Sequence, residues 1–139
     1  MFHVVIHAMP DSEPRRGAMR IGDRRVKPIQ FGGAFDTRFQ CSFDEVERRF
    51  AKLPRMCLEP DGSFVWVVET AGQRHQVDGN LLDDGERLLN VELKAECDTA
   101  TLDRLLEAFG WPSQQLLFQL VQYGVYLDEA DFRQLRLTG

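Results

Sequence analysis

Asp78, Glu92 and Lys94 are the residues of this chain whose types and spacing could do chemistry. They lie in QVDGNLLDDGERLLNVELKAE, Gln76 to Glu96. Two neighbouring carboxylates offer oxygens to a hard cation, and Mg²⁺ is commonly held by one or two carboxylates plus waters and phosphate. A lysine beside that cation can help orient or activate an attacking water. The stretch splits around Asp83-Asp84-Gly85-Glu86 into two segments that alternate apolar and polar residues, which predicts a hairpin. Placing Asp78 opposite Glu92 puts Gln76 opposite Lys94 and Asn80 opposite Asn90. Val77, Leu81, Leu89, Val91, Leu93 and Ala95 then gather on the other face. Like charges directly opposite destabilise a strand pair by up to about 1 kcal/mol. This register therefore asks for compensation, either by Lys94 on the diagonal or by a divalent cation.

The Asp…Glu-x-Lys arrangement resembles that of the restriction-endonuclease-like PD-(D/E)XK nucleases, in which an Asp on one strand precedes Glu-x-Lys on the next. Val77-Asp78-Gly79 matches the first part and Val91-Glu92-Leu93-Lys94 the second. The resemblance implies Mg²⁺ on Asp78 and Glu92, Lys94 serving the nucleophilic water, and nucleic acid as substrate. The family's core runs helix, three-strand meander, helix, strand, and residues 43–110 read as its first three parts. Glu45 or Glu47 on the first helix could join such a site. Residues 113–123, where the family has its fourth strand, read as a helix. The bland reading of the same three residues is the wet face of an ordinary sheet with Lys94 as a salt-bridge partner, and it is the leading one.

No other constellation rises as high. His3 and His7 share a face of a regular strand, but four residues span about 13 Å, so they cannot chelate one metal together. His75 is a lone polar residue in a sheet. Cys41, Cys57 and Cys97 show no CxxC or zinc spacing, which suits buried thiols in a reducing compartment. Cys41 and Cys97 each precede a helix, where a thiol can have a lowered pKa, but a buried structural thiol is the expectation. Gly-rich phosphate loops, GxSxG and HExxH are absent from the sequence.

The elements that must position these residues follow from periodicity and caps. Phe2–Ala8 is β-branched and reads as a strand, and residues 34–41 as another. Ser42 with Glu45 makes a capping box, and Phe43, Val46, Phe50 and Leu53 form one apolar face, so a helix spans 42–54 and Pro54 ends it. Pro60-Asp61-Gly62 and Ala71-Gly72 turn a meander. Leu102, Leu105, Leu106 and Phe109 mark a second helix, residues 113–123 a third, and Asp128 caps a last short one. The expected fold is α+β: an antiparallel sheet of about five strands packed against the N-capped helix and a C-terminal helical set, in a single domain over 1–139. A long basic loop at about 10–34 is expected to carry at most one short strand, near 26–31.

The chain is acidic overall, at −5, which argues against a generic nucleic-acid coat. The charge is uneven: residues 1–55 carry 11 Lys and Arg against 7 Asp and Glu, whereas residues 56–139 carry 6 against 15. The densest basic run is Arg15 to Lys27, a solvated loop or a local anion contact. Trp111 to Leu127 holds no ionisable charge at neutral pH; it either completes the core or forms an interface, with Trp111, Phe118, Tyr123 and Tyr126 as interface candidates. The N-terminus lacks a basic n-region and no stretch is apolar enough to cross a membrane, so a cytoplasmic location is expected. The leading expectation is a small non-catalytic binding or protein-interaction module, with a protein partner or homodimer and no cofactor. The alternative is a Mg²⁺-dependent nuclease-like phosphodiesterase using Asp78, Glu92 and Lys94, and only that alternative involves nucleic acid.

Overall fold

In a computed structural model, residues 1–10, 15–30 and 37–136 are described. The strands are β1 (Phe2–Ala8), β2 (Arg15–Arg16), β3 (Met19–Ile21), β4 (Arg24–Val26), β5 (Ile29–Gln30), β6 (Met56–Leu58), β7 (Ser63–Thr70), β8 (Gln73–Asp83), β9 (Leu88–Glu96), β10 (Leu116–Leu120) and β11 (Val125–Asp128); the helices are α1 (Phe43–Phe50), α2 (Thr99–Ala108) and α3 (Glu129–Arg136). Nine strands form one antiparallel sheet in the order β2-β5-β11-β10-β1-β9-β8-β7-β6, and β3 pairs with β4 as a separate hairpin. The α+β class is as expected, but the sheet is larger than the five strands anticipated.

The added strands have two sources. Residues 15–30 hold four short strands rather than one, while residues 11–14 and 31–36 lie outside the described set. Residues 113–123 were expected to be helical, yet Leu116–Leu120 is strand β10. Leu116, Phe118 and Leu120 point into the core and Leu117 is buried on the other face, so the apolar run is that of an interior strand covered on both sides. The strand expected at 34–41 falls partly outside the described residues; Thr37–Cys41 has no regular element. That segment is still tied to β9, with Phe39 N–H donating to Leu88 O and Leu88 N–H to Cys41 O.

All three helices cover the same face of the sheet. Val46 and Phe50 of α1, Leu102, Leu105 and Leu106 of α2 and Phe132 of α3 share one buried cluster with Val4, Ile6, Trp66, Val77, Val91 and Phe118. Phe50 meets Phe64 and Phe109 edge-on, and Phe132 stacks on Phe118 at 4.4 Å. The capping box at Ser42 forms as expected, with Glu45 N–H donating to Ser42 Oγ. The regular helix stops at Phe50, short of Pro54, and Leu53 packs on the core from the turn that follows. Pro54 offers its carbonyl to Trp66 Nε1–H at 2.9 Å, which gives the buried indole its partner.

Candidate functional site

The β8–β9 hairpin exists, and its faces are those the alternation dictated except beside the turn, where Leu88 rather than the expected Leu89 enters the core; its register is shifted by two residues. Asp78 is opposite Lys94, Asn80 is opposite Glu92 and Gln76 is opposite Glu96. The turn sets this offset. The Asp84 carboxylate accepts from the Glu86 and Arg87 N–H groups, and an irregularity between Leu82 and Asp83 takes up one residue. Those backbone donors hold the Asp84 carboxyl below the usual carboxylate range, helped by Arg38 at 2.5 Å. A shift of two preserves which face each side chain takes, so periodicity alone cannot detect it.

The expected face-to-face carboxylate pair is therefore replaced by an Asp78–Lys94 pair of opposite sign, and the like-charge penalty does not arise. Asp78 and Glu92 remain on one face as diagonal neighbours, a relation that spaces residues by roughly 7–8 Å. Each carboxylate has its own partner. Gln76 Nε2 donates to both Asp78 oxygens at 3.2 and 3.4 Å, and His3 Nε2 lies 2.9 Å from Glu92 Oε2. Lys94 is exposed and makes no ion pair among the described residues.

These three residues face away from the helices. Neighbouring positions alternate with the buried Val77, Val91, Leu93 and Ala95, which face α1 and α2. The sheet thus separates Asp78, Glu92 and Lys94 from Glu45 and Glu47, and neither joins them. Glu45 instead closes the capping box and pairs with Arg49 at 3.5 Å. Among the described residues, no three His, Cys, Asp or Glu side chains come together as a metal-binding group. The Asp78-Gly79 step is regular strand, and the Phe64 ring occupies the space a Cβ at Gly79 would take.

The interface candidates separate into different environments. Phe118 is wholly buried against Phe132 and has no surface to offer. Trp111 is half-buried beneath Arg133, and its Nε1–H donates to Glu129 Oε1 at 2.6 Å. Tyr126 is half-buried, opposite Ile29 of β5 and edge-on to His7. Tyr123 alone of the four is exposed, in the β10–β11 turn with Val121.

One polar cluster was not assembled from the sequence. His75 is buried, with Nε2 2.9 Å from Thr70 Oγ1 and 3.5 Å from Asp98 Oδ2, while Thr70 Oγ1 donates to the same carboxylate oxygen. Hydroxyl, imidazole and carboxylate are the components of an activated nucleophile. Here, however, one imidazole nitrogen faces both partners, so no relay runs from hydroxyl through the ring to carboxylate. Asp98 is the N-cap of α2, accepting from Thr101 N–H at 2.8 Å, and the Thr101 hydroxyl first and its N–H second hold the carboxyl low. The cluster ties the β7–β8 turn to α2. The clue was present in the Ala71-Gly72 turn, which sets Thr70 opposite Gln73 and so makes His75 its diagonal neighbour. Cys41 is a buried thiol whose pKa burial pushes up, the opposite of an activated nucleophile.

No family model, curated protein or solved structure matches this chain. Among the described residues, no helix is long and apolar enough to cross a membrane.

Proposed function

We propose that this protein works by binding rather than catalysis, as an interaction module that engages a protein partner through the sheet face opposite its helices. The observation that carries this reading is the one-sidedness of the β6–β9 half of the sheet. Helices cover one face; on the other, Val65 and Leu82 are 42% and 52% exposed. The strand registers align Cys57, Val65, Asp78, Lys94 and His3 in one row across that face. The row ends at Val121, whose N–H donates to His3 O, beside the exposed Tyr123. Apolar contacts set among paired polar groups are the composition of a non-obligate interface. A second copy of the chain is the leading partner. Size-exclusion chromatography with light scattering should give a dimer for the wild type and a monomer for both Tyr123→Asp and Val65→Asp. A strict monomer in all three removes the homodimer from the proposal.

A second reading has one observation in its favour. With β10 a strand, the order α1, β7–β8–β9, α2, β10 contains every part of the nuclease-like core, and Asp78, Glu92 and Lys94 share an open face. Mg²⁺ or Mn²⁺ bound there would displace Gln76 and His3 from the two carboxylates. Titration with Mn²⁺ should then broaden the resonances of Asp78 and Glu92 selectively, and Lys94→Ala should abolish cleavage of a DNA substrate. Uniform broadening across the surface would reject this reading.

A further inference from the structure

We infer that the groove between the β3–β4 hairpin and the start of α3 is a binding site for a small phosphorylated solute, held by Arg20 and Arg25. The hairpin is amphipathic. Ile21 and Val26 turn into the core cluster, while Arg20 and Arg25 sit directly opposite each other across the two strands. Two guanidinium groups in that position repel, and neither has an ion-pair partner among the described residues. A phosphate or pyrophosphate group relieves the repulsion, and the guanidinium fork matches its oxygens bidentately.

The groove is large enough for more than an ion, about 920 Å³, and Arg16, Lys27, Asp128 and Asp131 also line it. Its two carboxylates are already engaged. Asp128 accepts from Arg16 Nη1 at 2.9 Å and caps α3 through Asp131 N–H, and Asp131 accepts from Lys27 N–H at 2.8 Å. The Lys27 contact also ties the end of β4, and with it the arginine pair, to α3. Arg20, Arg25 and Lys27 remain as lining cations that make no ion pair among the described residues.

The same lining argues for a compact ligand rather than a nucleic-acid strand. Among the described residues no aromatic side chain lines the groove to stack a base, and Asp128 and Asp131 interrupt any continuous phosphate track. The cations come from residues 15–27, the densest basic run of an otherwise acidic chain, so the attraction is local.

Isothermal titration of the whole protein with inorganic pyrophosphate tests the assignment. Saturable binding with a Kd below about 1 mM is expected, weakening as salt is raised. Arg20→Gln combined with Arg25→Gln should weaken it at least roughly tenfold while the circular dichroism spectrum stays that of the wild type. Replacing both by Lys keeps the charge but loses the fork, and should weaken binding several-fold in a chain that folds. Arg87→Gln, an exposed cation elsewhere, should change nothing. Absence of saturable heat up to about 10 mM, or unchanged binding in both double variants, overturns the assignment. So does an oligothymidylate that binds roughly tenfold more tightly than pyrophosphate, because it would mark a nucleic-acid backbone site.

Discussion

Gly79 is the residue at which the candidate hairpin tolerates least change. A Cβ there would lie 2.1 Å from Phe64 Cζ, and Phe64 is itself held edge-on by Phe50. The ring cannot retreat without disturbing α1, so Gly79→Ala should cost about 1–3 kcal/mol, the usual range for overpacking a core. Urea unfolding measures it, and Phe64→Leu in the Gly79→Ala background should recover part of the loss. An unchanged midpoint for the single variant would show that the contact relaxes freely. His7 sets a second expectation. Burial lowers its pKa below the ordinary 6.5, outweighing the Gln119 hydrogen bond that raises it. The unfolded chain thus takes up a proton where the folded chain holds none, so stability falls as pH drops below about 6.5 and levels off beneath the folded value. His7→Gln should flatten the stability profile in that window. Parallel profiles for the two proteins would assign the dependence to another group.

At the scale of elements, caps and alternation were legible in the sequence, and offsets between strands were not. Ser42 and Glu45 announced α1 because a hydroxyl and a carboxylate three residues apart satisfy orphan donors at a helix start. Asp98 was missed as the cap of α2, although it sits where a cap must, one residue before Thr99. It does more than cap, since the same carboxylate accepts from Thr70 and faces His75 across the β7–β8 turn. Asp98→Ala should therefore lie toward the upper end of the cap range, about 1–2 kcal/mol. Asp98→Asn should recover most of that at neutral pH, because an amide oxygen still accepts from Thr101 N–H. The carboxyl's lowered pKa contributes stability above the unfolded value of 3.8 that is lost as pH falls through the folded one. The wild type should consequently lose its advantage over Asp98→Asn in strong acid, and a thermal-melt series below about pH 4 reads that directly. A constant gap between the two proteins would remove the carboxylate from the account.

At the scale of the whole molecule, local pattern reached the order of strands in only half of the sheet. The sequence order β6, β7, β8, β9 is also their spatial order, because each joins the next by a turn, and that half of the sheet was readable. β1 is different. It lies between β9 and β10, pairing with residues about ninety and more than a hundred positions away, and only the finished core selects that place. The sheet is in consequence two halves joined through one strand: β6–β9 on one side of β1, and β10, β11, β5 and β2 on the other. Val4, Ile6 and Ala8 of β1 are fully buried, and Ile6 is opposite both Val91 and Phe118. Ile6→Ala should cost about 2–5 kcal/mol, as for a fully buried large-to-small change, whereas Val65→Ala on the open face should stay within about 0.5 kcal/mol. The loss at Ile6 belongs to both halves at once, so the variant should still unfold in one transition, with tryptophan fluorescence, reporting on Trp66 and Trp111, and far-ultraviolet circular dichroism moving together. Two separated transitions would mean that β6–β9 holds its structure without β1, and that the central strand joins the halves without making them one cooperative unit.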